Sequence, residues 1–484
     1  MSSSSLPVRG SLACVSAILA LALGSPASAQ LKDEQVRALQ DQITKLIAGG
    51  EHERALDLLG HANDVRTTRL MLKYMIEWTD VGLRPRMVES LTYVDAPECL
   101  AELGKIMDDK RAPLWLKHSI GDALQRKPED HARTTLVALA GNKNLTNMLV
   151  GVHGLANRYN DPKVVPDLWK AFAHERWQVR YTAMLGLLRA RVALAETPFL
   201  EPLLKTTGRD QVDLFRGLRT LNPSVPGTIE AWQDWIKKQG EDRLKFYGDY
   251  RKFESDTDDL IRERDSPKYV GPSVFGIKLR TNRVAFVVDS CETLNVEAKG
   301  PCPMGTVTPF AGLTLRKLIL EEVAQAIEKL PPTVELMVVG CDRNAQAYAS
   351  KPILADDATR AKLAADVRGM SSAMVTNLHD AIMRCFTTSG SDPLTEASYE
   401  KGPDTIVLVT TGMPTAGEHA YRKLVVREGA LTWDASFLDA FDHLNRQRQI
   451  RFQCVGVGTL LPPCARLLQQ LAQRSGGQFV TIAK

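Results

Sequence analysis

The sequence predicts a multidomain chain, with an N-terminal all-α solenoid followed by a C-terminal α/β domain built on a parallel sheet. Three observations predict it. From Leu31 to about Thr220 apolar residues recur at three- and four-residue spacing, with no strand-like alternation between them. Within that stretch, similar helices return at a fixed interval. After Arg283, short apolar runs alternate with amphipathic helices, the pattern of a sheet covered on both faces.

The first 29 residues carry one charge, Arg9. An apolar run from Leu12 to Leu23 follows, then Ala27-Ser28-Ala29. This is the layout of a secretory signal cleaved before Gln30. The other reading is a membrane anchor, but the run is short against the ~20 residues a spanning helix needs. The expected mature protein has no membrane span and is extracytoplasmic, either periplasmic or secreted.

Residues 30–227 form the expected helical region. Ser119-Ile120-Gly121-Asp122, Gly151-Val152-His153-Gly154 and Ala183-Met184-Leu185-Gly186 overlay at an interval of 32 residues. Small side chains at matching positions let helices approach closely. Leu116, Ile120, Met148, Val152, Met184 and Leu188 fill the space between layers. One helical pair cannot bury its own apolar face, so pairs stack. With Asp161-Pro162 opening one helix and Trp177-Gln178-Val179-Arg180 the next, the segment resembles a HEAT-type α-solenoid. An irregular helical bundle is the alternative.

Pro223 and Pro226-Gly227 end this pattern, and residues 228–282 read as a capping helix and a charged linker. Trp232 and Trp235 in that helix suit a carbohydrate or partner platform, or the packing of a terminal cap onto its neighbour. The acidic residues Asp256, Asp258 and Asp259 lack the spacing and glycine of a calcium loop.

Residues 283–484 form the α/β domain. Val284 to Val288, Thr333 to Val339, Thr405 to Thr410, Phe452 to Val457 and Phe479 to Ile482 read as strands. Helices are expected over Thr314–Leu330, Ala358–Val367, Asn377–Phe386, Phe437–Gln447 and Arg466–Gln473. Functional groups in such sheets gather at the carboxyl ends of the strands. Asp289 and Thr411 stand at two of those ends, and Thr376 opens a helix.

The segments Arg283-Val284-Ala285-Phe286-Val287-Val288-Asp289, Val375-Thr376-Asn377-Leu378-His379-Asp380-Ala381 and Asp404 to Thr415 resemble the three signature loops of von Willebrand factor type A domains. Gly476-Gly477-Gln478-Phe479-Val480 is similar to that family's last strand. The resemblance covers about two hundred residues and implies a Rossmann-like fold. It also implies a metal-ion-dependent adhesion site, in which Asp-x-Ser-x-Ser, a Thr and an Asp hold magnesium or manganese.

Carried over residue by residue, Asp289, Thr293 and Thr376 match the metal ligands. Cys291 replaces a serine, and Thr411 replaces the second aspartate. A thiol is a poor magnesium ligand. Loss of one carboxylate also weakens the attraction for a dication. The site therefore reads as degenerate, with no required cofactor and at most weak magnesium or manganese binding. Glu292 is a substitute carboxylate at an intervening position. His379 either faces the cleft or lies at the surface as a capping residue.

A composition of 44% apolar residues over 484 suits a chain with a substantial core. Lys plus Arg number 61 against 57 for Asp plus Glu, a net charge of +4, so charge implies no nucleic-acid partner. Eight cysteines form no CxxC pair, which removes zinc and redox motifs. Cys341, Cys385 and Cys454 read as small buried hydrophobes, while Cys291 and Cys302 could be bridged in an oxidising compartment. No nucleophile elbow, HExxH or phosphate loop is present.

The expected function is non-enzymatic protein–protein recognition by an exported binding or scaffold protein. Its partner-binding cleft holds Asp289, Cys291, Glu292, Thr293, Thr376 and Thr411. The alternatives are a structural envelope component with an inert cleft, or a regulatory subunit of an enzyme complex.

Overall fold

A computed structural model describes residues 31–78, 83–190, 208–209, 211–213, 271–299, 308, 312–349, 351–387, 401–416 and 433–482, with isolated positions between 230 and 238. The expected leader, the Trp232–Trp235 pair, the acidic run after Glu254 and Cys302 lie outside the described residues. The chain divides into two compact units, Met1–Ala190 and Arg191–Lys484. Among the described residues no helix is long and apolar enough to cross a membrane.

Among its described residues the first unit is all helical: α1 Asp33–Ala48, α2 His52–Ala62, α3 Val65–Glu77, α4 Arg84–Thr92, α5 Pro97–Ile106, α6 Leu114–Arg126, α7 Asp130–Ala140, α8 Leu145–Asn157, α9 Val165–Phe172 and α10 Trp177–Ala190. They form two layers. Helices α2, α4, α6, α8 and α10 pack each against the next, and α1, α3, α5 and α7 do the same. The segments overlaid by sequence fall on α6, α8 and α10, neighbours in one layer, with Ile120, Val152 and Met184 buried between.

Small residues allow this stacking. A Cβ on Gly60 of α2 would lie 2.6 Å from the Ser90 carbonyl oxygen of α4, and one on Gly186 of α10 would lie 2.7 Å from the backbone of Ala156 of α8. Any larger side chain at either position would separate two helices of the layer.

Polar contacts repeat at the same interval. The Asn63 amide oxygen accepts the Asp95 N–H at 2.9 Å, and Lys127 pairs with Asp95. Asn157 donates to Gln125 at 2.8 Å, and Arg189 donates to Asn157 at 2.8 Å. Each of these four contacts joins residues 32 apart, and His61 stacks on Tyr93 with ring centroids 3.8 Å apart at the same separation. The register is therefore fixed by specific groups as well as by apolar packing.

The second unit contains β1 Ser273–Val274, β2 Ile277–Lys278, β3 Arg283–Val288, β4 Glu335–Gly340, β5 Ile353–Leu354, β6 Thr405–Thr410, β7 Arg451–Val457 and β8 Phe479–Ile482. Among the described residues it also contains the helices α11 Leu315–Glu328, α12 Asp357–Arg368, α13 Leu378–Phe386, α14 Trp433–Arg448 and α15 Pro462–Arg474. The β1–β2 hairpin is antiparallel. The other six strands form one sheet in the order β5-β4-β3-β6-β7-β8, parallel except for β5.

Side chains alternate across this sheet. Val284, Phe286 and Val288 face the cluster that includes α11, α12 and the hairpin, while Ala285 and Val287 face the one built by α13, α14 and α15. Every residue from Val284 to Val288 is fully buried. The expected strands are recovered, Thr405–Thr410 and Phe479–Ile482 with the same ends and the others with ends shifted by at most two residues, and β1, β2 and β5 were not expected. Two-residue strands carry no readable alternation.

The sheet's packing partners begin earlier than the expected boundary at Arg283. Val274, Phe275, Ile277 and Leu279, placed by sequence in the linker, are core residues. The buried carboxylate of Glu322 on α11 holds this region by accepting the N–H groups of Phe275 and Thr308, both at 3.0 Å. Arg209 and Asp213, expected in the helical repeat, belong to the sheet unit.

A network of buried charges joins them to the amino edge of the sheet. Arg209 donates to the Asp404 carbonyl at 2.5 Å and to Asp213 at 3.1 Å, and Arg451 donates to the other Asp213 oxygen at 2.5 Å. The Asp404 carboxylate accepts the Asn282 and Arg283 N–H groups and the Thr281 and Thr405 hydroxyls. Asp213→Ala would leave two arginines buried without their carboxylate. A loss of about 3–5 kcal/mol is expected in urea unfolding followed by circular dichroism. A loss under 1 kcal/mol would show that the network does not brace the sheet.

Candidate functional site

Numbered by order within the sheet, its strands run 3-2-1-4-5-6, so the direction of winding reverses between β3 and β6. That reversal opens a crevice at the carboxyl ends of these two strands. Asp289 follows β3 directly and is fully buried there. Its N–H donates to the Val409 carbonyl of β6 at 2.9 Å, which extends the ladder by one residue and fixes the side chain at the crevice floor.

Three loops converge on its carboxylate. Oδ1 accepts the Cys291 N–H at 3.0 Å and the Thr376 hydroxyl at 3.2 Å. Oδ2 accepts the Thr410 hydroxyl at 2.9 Å, the Thr411 N–H at 3.3 Å and the Thr411 hydroxyl at 3.2 Å. A carboxylate offers about four lone-pair directions, so five donors occupy it completely.

The loops also hold one another. Ala373 donates to the Ser290 carbonyl, and Glu292 donates to the Ala373 carbonyl, both at 3.0 Å. On the other side, the Thr376 N–H donates to the Thr415 hydroxyl at 2.8 Å and the Thr415 N–H to the Thr376 carbonyl at 2.9 Å. Gly412, at φ 72°, turns the third loop and donates to the Thr410 hydroxyl at 2.9 Å.

Of the six residues expected in the cleft, Asp289, Cys291, Thr376 and Thr411 meet in this cluster. Thr293 does not reach the carboxylate; its hydroxyl lies 2.8 Å from the Cys291 sulfur. Glu292 lies on the exposed rim beside them. Cys291 is a free thiol. Burial, reinforced by the nearby Asp289 charge, pushes it up to about 11.

His379 is neither in the cleft nor a surface cap. It is buried, with its ring centroid 5.4 Å from that of Phe441 and 5.9 Å from that of Phe437 on α14, and its Nδ1 is 3.0 Å from Asp380. Amphipathic spacing on α13 turns it toward α14. Asp380 lies at the start of α13, where Asn377 is the cap and donates to it at 2.7 Å. Thr410, Ser290 and Thr415 were not singled out by sequence. Thr410 carries the shortest contact to the Asp289 carboxylate and reads in sequence as the last residue of a strand.

Magnesium requires an octahedral shell of hard oxygens. This cluster offers one carboxylate, already occupied by five donors, and a protonated thiol. Among the described residues no group of three or more His, Cys, Asp or Glu side chains could hold a metal ion. The residues present do not fit the ion that the resemblance implies.

No protein-family model matches the chain, and neither does any curated protein. Among solved structures it is similar to a von Willebrand factor type A from Catenulispora acidiphila, at 14% identity and a TM-score of 0.29. The likeness covers 43% of this chain and 40% of that one, less than half the length of either.

Thr410→Val removes a donor to a buried carboxylate while keeping the side chain's shape. Its expected cost is about 1–3 kcal/mol in urea unfolding, with Thr410→Ser close to wild type. Equal stability of all three proteins would count against the cluster. Cys291 gives a pH prediction. The folded chain holds the thiol proton more tightly than the unfolded chain, so this contribution is complete below the ordinary value of 9.0 and is lost as pH rises toward about 11. Wild type should lose stability relative to Cys291→Ala across that window, and parallel pH profiles would refute the assignment.

Proposed function

We propose that this chain is an exported, non-enzymatic binding protein. In this reading a HEAT-type helical scaffold carries a type A domain that recognises a protein partner without a metal ion. The observation that carries it is the Asp289 cluster at the reversal point of the sheet. In the metal-dependent site that the resemblance implies, two aspartates would hold magnesium or manganese together with hydroxyl groups. Here Thr411 takes the place of the second carboxylate and directs both its N–H and its hydroxyl at the first. The negative charge is met by hydrogen bonds within the domain, so the loops have their binding-ready form without an ion. Export is supported by the N-terminal leader pattern.

Calorimetric titration of magnesium and manganese tests this reading. The mature wild-type chain should give no saturable heat at millimolar metal, while a Cys291→Ser, Thr411→Asp double variant should bind. Micromolar binding by the wild type would overturn the metal-free reading.

A further inference from the structure

The rim of the Asp289 crevice places a carboxylate beside an exposed apolar side chain. Cys291 and Ala373 form an isolated parallel bridge between the first and second loops, held by Glu292 N–H to the Ala373 carbonyl at 3.0 Å. Asn295 donates to the Ser372 hydroxyl at 3.1 Å, which fixes the same pair of loops a second time. The residues that follow the bridged pair are Glu292 and Met374. Both are exposed, Glu292 at the start of a short 3-10 turn (Glu292–Leu294) and Met374 in the bend that follows the bridge. Met374 is 83% exposed, the most exposed of the large hydrophobic residues described.

Among the described residues Glu292 forms no ion pair. Arg316 is committed to the Met370 carbonyl, and Lys299 lies 3.5 Å from Glu297. Asp342 accepts the N–H groups of Asn344 and Gln346, and Asp380 is held by Asn377 and His379. Arg343 is exposed on the loop after β4, where its carbonyl accepts the Asn377 amide. Glu292 itself has no side-chain partner among the described residues.

We infer that this rim takes a long basic side chain, arginine or lysine, from a protein partner, with its head group on Glu292 and its methylene stem across Met374. The inference rests on the metal-free reading above. With no dication in the crevice, a partner's carboxylate would meet like charge at Glu292, whereas a basic group meets complementary charge. Long cationic side chains pack their stems on apolar surface while the head group stays hydrated. The flexible thioether of methionine suits such a contact. Arginine is favoured over lysine because its guanidinium can bind a carboxylate through two parallel hydrogen bonds.

The test uses the full mature chain and immobilised pools of capped nonapeptides with Arg, Lys, Leu or Glu fixed at the centre and neutral residues randomised around it. Retention is measured in EDTA. The expected result is retention on the Arg pool, then the Lys pool, above the Leu and Glu pools. Glu292→Gln should lower the Arg signal about two- to fivefold, Glu292→Lys should abolish the preference, Met374→Ser should weaken it, and Arg343→Ala should leave it unchanged. Equal retention of the Leu and Arg pools would overturn the inference while leaving metal-free recognition intact. Retention of the Glu pool only when magnesium replaces EDTA would overturn both. A Glu preference in EDTA that is lost in Arg343→Ala would move the contact to the other loop and overturn the inference, as would failure to retain any pool.

Discussion

A carboxylate buried at the end of a parallel strand must be met by positive charge or by hydrogen bonds, because an isolated ion in that environment is strongly disfavoured. At Asp289 five donors meet it, two backbone N–H groups and three hydroxyls. They come from three segments far apart in sequence, so one side chain fixes the mutual placement of all three loops. Thr376 is tied in turn to Thr415, and Cys291 is bridged to Ala373. The crevice is therefore pre-organised, and binding there would not have to include the ordering of its floor.

The opposite edge of the same sheet solves a related problem differently. Asp213 is buried with Arg209 and Arg451, where opposite charges meet directly, while Arg209 reaches the buried Asp404 at its backbone carbonyl. Asp404 also accepts from the amino ends of β3 and β6, the two strands whose other ends frame the Asp289 crevice. Each of these central strands is thus anchored at both ends by a buried carboxylate. The rigid frame between the anchors consists of Val284 to Val288 and the matching residues of β6, all buried on both faces.

Much of this was legible in the sequence. Runs such as Val284 to Val288 are apolar on both faces because the sheet is covered twice, and the 32-residue interval survives because each stacked helix repeats one environment. Asp289, Thr376 and Thr411 were legible because they stand at strand or helix ends. Thr410 was not, since a threonine closing a strand reads as an ordinary β-former. Arg209 and Asp213 escaped because their partners lie 195 and 238 residues away, and no local pattern encodes such pairing. His379 was misplaced because its polarity suggested solvent, whereas its ring is buried among the aromatic rings of α14.

The contacts that repeat every 32 residues in the helical unit have a consequence for how such a chain can change length. Asn63, Asp95 and Lys127 each meet a neighbour one interval away, as do Gln125, Asn157 and Arg189. Among the described residues these interactions are nearest-neighbour ones, each joining one interval to the next. Duplication or loss of one whole interval would keep helix faces, glycine contacts and loop hydrogen bonds in phase. A change of any other length would put out of phase the contacts that cross the point of change. The array can therefore vary in discrete steps of one interval.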